Sequence, residues 1–223
     1  GRGMSAVSTV ADLQAIIDTL VKARNEYVLN AVPVEDYAFD YTFLLASPDC
    51  ASKTGWTTVG TVGPMSNQHW SGQTNTYLEP CDWGATGWEA SISQVLTLPN
   101  GVYTVKATGR ASAGVTLTLQ ANDSIVTIPS TGDVGGTIAT DGTEWADVAA
   151  GIAAGKTFAN NNAGRGWRYA TVKAIVADST LTITAKGTTA EVHQWASVDD
   201  FQLFYHGPAP VVKGPKVAYL CGA

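Results

Sequence analysis

The feature that most constrains this chain is a change of hydrophobic period near residue 40. Before it, Leu13, Ile16, Ile17, Leu20, Ala23 and Tyr27 recur at spacings of three and four. That is a helical period, and it predicts a helix over residues 9–30. Thr9 with Asp12 supplies a start signal, and Val32-Pro33 a stop. The single apolar stripe reads as a packing face, with partner binding as the alternative. After residue 40 the period is two. Ile92, Gln94, Leu96 and Leu98 alternate with Ser91, Ser93, Val95 and Thr97, and Val115, Leu117 and Leu119 with Thr116, Thr118 and Gln120. Pro99-Asn100-Gly101 predicts a tight hairpin into a strand at 102–109. Further short strands fall at 125–128, 169–176, 181–185 and 198–205. Many short strands punctuated by turns predict an all-β, two-sheet β-sandwich preceded by an N-terminal α-helix, rather than a βαβ sheet.

The expected organisation is a helical lead-in (1–35), a sandwich domain (36–206) and a linker (207–223). The last segment opens with His206-Gly207-Pro208-Ala209-Pro210, and its residues 216–220 read as one more strand, the start of a following domain. Two stretches interrupt the strands. Residues 60–88 are rich in Trp, Asn, Gly and Gln, and residues 129–166 are Gly-rich with a helical piece at 143–154. Long loops of this kind are usually functional or disordered.

Charge narrows the function. Only 14% of residues are charged and the formal net charge is −6. A sparse, acidic surface binds phosphate poorly, which argues against nucleic acid. No apolar run reaches the length of a membrane helix, so no membrane insertion is expected. Gly1-Arg2-Gly3-Met4 has no signal-peptide core, so an export signal is expected outside this chain. Cys50, Cys81 and Cys221 form no CxxC pair, which excludes a ribbon-type zinc site. Cys50 and Cys81 are left as free thiols or, in an oxidising compartment, a disulfide.

Several catalytic motifs fail on spacing. Gly151-Ile152-Ala153-Ala154-Gly155-Lys156-Thr157 has three residues between its glycines, where a phosphate loop needs four, and it follows a helical piece instead of preceding one. There is no Gly-x-Ser-x-Gly elbow. His69, His193 and His206 lie in different regions and read as loop histidines. A glycosidase needs two facing carboxylates, which any acidic chain can offer. Asp199 and Asp200 are neighbours on one strand and are expected to face opposite ways. Whichever points inward needs a partner, and Ca²⁺ suits a carboxylate trapped at a sandwich edge. The alternative is a carboxylate that caps a turn or bonds backbone N–H groups.

The stronger signal is aromatic. The chain holds seven Trp against five Phe and two Met. Asn67-Gln68-His69-Trp70, then Asn75 to Glu79, then Cys81-Asp82-Trp83-Gly84-Ala85-Thr86-Gly87-Trp88 crowd one short stretch. Sugars show apolar C–H faces beside dense hydroxyls, so a site for them needs flat aromatic plates with amides, carboxylates and Arg beside them. Lys and Arg, which nucleic-acid stacking would require, are missing from this stretch. The candidate stacking plates are Trp70, Trp83, Trp88 and Trp195, and the candidate hydroxyl contacts are Gln68, Glu79, Arg110 and His193. Trp56 and Trp167 are expected at strand starts, covering the core edge. Trp145 is expected to pack the short helix, or to close over a ligand.

The order of several stretches resembles a family. Phe39 to Asp49 followed by Gly55-Trp56, then Leu96 to Val105 around Asn100-Gly101, then Gly164-Arg165-Gly166-Trp167, then Trp195 to Tyr205 with Asp199-Asp200-Phe201-Gln202-Leu203, are similar to the galactose-binding-like jelly-roll domains. Many of these are carbohydrate-binding modules beside glycan-degrading enzymes or on surface proteins of gut bacteria. The resemblance implies a jelly roll with ligand sites on the concave sheet face or at the loop edge. It implies covalently linked catalytic or surface-protein domains and an extracellular or cell-surface location in bacteria. It also implies a structural Ca²⁺. Related modules carry Phe-Glu in the first strand, where this chain has Asp49-Cys50-Ala51. Asp49 and Asp199 are therefore the expected metal residues. The expected function is non-catalytic binding of a plant or dietary polysaccharide. The rivals are a structural or adhesive jelly roll with no sugar site and, more remotely, a carboxylate-pair enzyme.

Overall fold

The computed structural model describes residues 9–34, 37–68, 74–130, 137–139, 143–145, 148–157 and 167–210. The tail from residue 211, and most of the stretch 129–166, lie outside them. Helix α1 spans Val10–Asn30, and Thr9 caps it by accepting from the Asp12 N–H at 3.1 Å. No residue of α1 is buried. Its last turns are pinned to the rest of the molecule: Tyr41 Oη donates to the Val28 carbonyl at 2.9 Å, and the Arg24 guanidinium lies 4.2 Å from the Phe43 ring centroid.

Among the described residues thirteen strands follow: β1 (Phe39–Asp40), β2 (Thr57–Val59), β3 (Val62–Gln68), β4 (Thr74–Pro80), β5 (Trp88–Thr97), β6 (Gly101–Ala111), β7 (Thr116–Ala121), β8 (Ser124–Ile128), β9 (Thr137–Ile138), β10 (Glu144–Trp145), β11 (Arg168–Val176), β12 (Thr180–Thr189) and β13 (Ala196–Tyr205). They form two antiparallel sheets. The first runs β11-β6-β13-β4-β3, with β1 added beside the end of β13. The second runs β2-β5-β12-β7-β8, and β9 and β10 make a small separate pair. A short helix α2 spans Val148–Ala153, and Gly155 follows it in the left-handed conformation at φ 77°.

Alternation makes the sandwich. Leu78, Val105, Ala107, Val172, Val198 and Leu203 of the first sheet meet Ala90, Ile92, Leu117, Leu119, Leu181 and Ile183 of the second. Trp56 closes one end of this core, donating Nε1–H to the Ser47 carbonyl at 3.2 Å, with its ring 4.7 Å from Phe201.

Two expectations are corrected. Asn100-Gly101 joins β5 to β6, but those strands lie in different sheets: β5 pairs with β2 and β12, β6 with β11 and β13. The turn is a crossover between layers, not a hairpin. Asn100 Oδ1 accepts from the Ser179 N–H at 2.8 Å, tying this crossover to the one between β11 and β12. Gly101 is needed for close approach, because a Cβ there would strike the Gly207 carbonyl and the Tyr205 ring. The second correction concerns residues 60–88, read as an interruption. They contain the paired strands β3 and β4. The pattern was hidden because one face of this ribbon is polar and aromatic, not apolar.

Candidate functional site

The register across the first sheet builds the site. Paired residues of antiparallel strands point to the same face. Arg110 pairs with Ser197, and the pairing of Leu78 with Val198 sets Glu79 beside Ser197. Gly63 pairs with Glu79, and the pairing of Arg168 with Gly109 brings Trp167 next to Arg110. One row across the sheet therefore reads Gly63, Glu79, Ser197, Arg110, Trp167. Leu78 and Val198 belong to the core, so this row faces away from it. Met65 and Tyr77 pair in the next row on the same face.

Glu79 and Arg110 of this row and Met65 of the next line a cleft of about 420 Å³ together with Cys81, Trp83 and Trp195. That volume lies within the usual range of ligand pockets. Arg110 is held among rings, with its guanidinium carbon 4.7 Å from the Trp167 centroid, 5.2 Å from Tyr77 and 5.4 Å from Trp195. It also donates to Tyr77 Oη at 3.2 Å. Such a cage fixes the plane of the guanidinium before a ligand arrives. Glu79 accepts from Ser197 Oγ at 3.4 Å and lies 3.9 Å from Cys81 Sγ. Burial pushes its carboxyl above the ordinary 4.5; Arg110 and hydrogen bonds from Ser197, Tyr77 and Cys81 pull the other way. Burial likewise raises the Cys81 thiol, and the Glu79 carboxylate adds to it.

Two loops make the rim. The His193 N–H donates to the Trp83 carbonyl at 3.1 Å, and their rings lie 5.3 Å apart. His193 has φ 59°, which turns the chain there. Trp83 is 55% exposed. The Trp195 backbone is tied to Ser112, receiving its N–H at 3.0 Å and giving its own N–H to Ser112 Oγ at 3.0 Å.

Of the residues expected at the site, Trp83, Trp195, Glu79 and Arg110 line this cleft, and His193 stands beside Trp83. Trp88 does not belong to it. It is 8% exposed, packs in the core over Gly187, and its indole N–H has no partner among the described residues. It opens a strand with an inward-facing first position, so it fills the sandwich instead of facing a ligand. Trp70 lies outside the described residues, as does the side chain of Gln68, whose backbone is in β3. Trp145 donates Nε1–H to Thr143 Oγ1 at 2.8 Å, with the Lys156 ammonium 5.9 Å from its ring centroid. Tyr77, Met65, Cys81 and Trp167 were missed. The spacing of two from Glu79 would have flagged Tyr77, had residues 74–80 been read as a strand.

The two expected metal residues, Asp49 and Asp199, each accept hydrogen bonds from neighbouring groups. Asp49 is exposed, and its Oδ1 accepts from Ser47 Oγ and the Ala51 N–H, each at 3.3 Å, closing a turn. Asp199 is fully buried, and its Oδ1 accepts from the Asp200 N–H at 2.8 Å. A bulge between Asp199 and Gln202 breaks the simple alternation. Asp200 there has φ 49° and accepts from Tyr169 Oη at 2.6 Å. Both Asp199 and Asp49 act on Cys50, whose thiol is pushed up mainly by burial and then by these charges. Among the described residues, no three His, Cys, Asp or Glu side chains are grouped to hold a metal. Ca²⁺ takes six to eight oxygens, so a site here would draw on main-chain carbonyls. Cys50 and Cys81 are free thiols.

No family model matches the sequence. No curated protein matches it either. Solved structures with a similar fold include carbohydrate-binding modules. TmCBM61, solved with β-1,4-galactotriose, is 19% identical and covers 72% of this chain and 97% of its own at a TM-score of 0.44. The CBM22-1 xylan-binding domain of Xyn10C from Paenibacillus barcinonensis is 15% identical, covering 79% of this chain and 100% of its own at 0.39. The Stig cyclase Fisc from Fischerella sp. TAU is also similar, at 13% identity, 80% and 92% coverage and 0.37. At these identities the likeness is one of fold.

Proposed function

We propose that this chain is a non-catalytic carbohydrate-binding module whose site is the cleft between Glu79, Arg110, Trp83 and Trp195. The observation that supports it most is the pairing of an exposed indole with a pre-oriented charged floor. Trp83 offers a plate for the C–H face of a sugar ring. Arg110 is already aligned by Tyr77, Trp167 and Trp195 and donates along its edge to adjacent hydroxyls. Glu79 accepts from hydroxyls of the same ring. The opposite charges of Arg110 and Glu79 offset each other, which suits a neutral glycan. A plant or dietary polysaccharide, met outside the cell by a protein carrying catalytic or surface domains, is the proposed setting. Among the described residues no helix is long and apolar enough to cross a membrane.

Glu79 is the one carboxylate among the described residues lining the cleft, whereas glycoside hydrolysis uses two. Titration with soluble xylan, β-glucan, galactan or mannan should shift the tryptophan fluorescence. No shift and no retardation in affinity gels across the panel would refute sugar binding. Release of reducing ends would replace it with an enzyme. For calcium, the proposal is a structural ion at Asp49 and Asp199, completed by main-chain oxygens. A chelator should then lower the melting temperature; an unchanged melt with no metal by elemental analysis refutes it.

A further inference from the structure

Helix α1 leaves a second surface, independent of the cleft. Its large apolar residues Leu13, Ile16, Ile17, Leu20, Val21 and Tyr27 are 41–78% exposed. Most of a helix's stability in a protein comes from packing its apolar face. The spacing specifies the kind of partner. Leu13, Ile16, Leu20, Ala23 and Tyr27 alternate steps of three and four without a break. That places Leu13, Leu20 and Tyr27 at a positions, and Ile16 and Ala23 at d positions, of successive heptads. A seam of this period packs against another helix, knobs into holes.

The sandwich does not block the seam. The residues that dock α1 on it are Arg24, Val28 and Leu29. On a helical wheel Val28 and Leu29 lie about 100° and 160° from the centre of the seam and Arg24, at a flanking position, about 60°, while every seam residue remains exposed. Beside the seam, Ala23, Glu26, Tyr27, Asn30 and Ala31 line an open groove. Among the described residues the other helix is α2, six residues long and too short to cover three heptads. The charges permit self-pairing. In a parallel pair the flanking positions oppose Asp12 to Ile17, Thr19 to Arg24 and Glu26 to Ala31, so no like charges meet.

We infer that α1 is an association helix whose seam packs against α1 of a second copy of this chain in parallel. Leu at a with Ile at d also accommodates a third or fourth copy, and the measurement reads the number.

The test is the mass of the full chain by sedimentation equilibrium, in reducing buffer, over about two decades of concentration, because association follows mass action. The expected mass is an integral multiple, two or more, of 23.3 kDa, rising with concentration. Leu20→Asp and, separately, Ile16→Ser should return it to 23.3 kDa without moving the melt of the sandwich, since neither residue is buried. Lys22→Gln, on the opposite face, should leave it unchanged. A wild-type mass of 23.3 kDa throughout overturns the inference and leaves the seam to another part of the protein or to a different partner. So does a mass that both seam variants leave intact.

Discussion

Trp83 and Trp88 lie five positions apart, yet one is 55% exposed and the other 8%. The difference follows from where each backbone sits. Trp83 rides a loop held by the His193 N–H, while Trp88 begins β5 and turns its ring onto Gly187 of β12, where a side chain would clash with it. Trp88→Ala should therefore cost about 3–5 kcal/mol of stability, as large-to-small core substitutions do. Trp83→Ala should change stability by no more than about 0.5 kcal/mol, while weakening glycan binding by about 1–3 kcal/mol. Denaturant melts and isothermal titration on the two variants separate the effects, and loss of the fold in Trp83→Ala would move it to the core. Glu79 gives a pH signature. Its folded carboxyl sits above the ordinary value, chiefly through burial, so the folded state favours its protonated form. Its contribution is then fully present below the unfolded value and is lost as pH rises through the folded one. Glu79→Gln should melt higher than wild type near about pH 7, with the gap closing below about pH 4, where wild-type Glu79 is protonated. Glycan binding should move oppositely, failing in wild type as acid removes the accepting carboxylate.

The ribbon of β3 and β4 supplies the cleft with Met65 and Glu79, and with Tyr77 buried behind Arg110, and its geometry allows a test by filling. No heavy atom lies within 4 Å of the position a Cβ would take at Gly63, which pairs with Glu79. Gly63→Leu should place its side chain beside Glu79, leave the melting temperature within a few degrees of wild type, and reduce binding at least tenfold. Unchanged affinity would mean that the ligand does not reach the sheet floor. This ribbon also shows where sequence reading succeeds and where it stops. Strands β7, β11 and β12 bury one face against the core and leave the other to solvent, so apolar residues alternate and betray them. The ribbon places Tyr77 and Glu79 on a face where function, not core burial, selects the side chains, and alternation disappears. The crossover at Asn100-Gly101 failed differently: a tight turn is encoded locally, but whether it joins neighbours in one sheet or changes layer depends on distant pairings such as β6 with β13. Glu79, Arg110, Trp83 and Trp195 were legible as residue types suited to sugars. The rings that cage Arg110 come from β4, from just before β11 and from just before β13, and only the register brings them together.

At the scale of the molecule, a net charge of −6 spread thinly over 223 residues coexists with a cleft whose two charged groups have opposite sign. A ligand drawn by the overall field would have to be cationic, whereas Arg110 and Glu79 together offer donors and acceptors with little net charge. Screening separates these cases, because long-range attraction fades over about 8–10 Å at physiological salt, while hydrogen bonds inside a half-buried cleft persist. Affinity for a neutral glycan should then change less than about threefold between 20 mM and 500 mM NaCl, since no counterions are released. A steep loss with salt would show that the ligand is charged and that the field, not the caged guanidinium and the indole plate, dominates recognition. The same titrations with a uronic-acid polymer sharpen the point. Arg110 would attract its carboxylate but Glu79 and the acidic surface would repel it, so its binding should be weaker than that of the neutral chain at low salt, and the gap should narrow as salt rises. A uronic-acid polymer bound more tightly at low salt would reverse the assignment and make Arg110 the charge that selects the ligand.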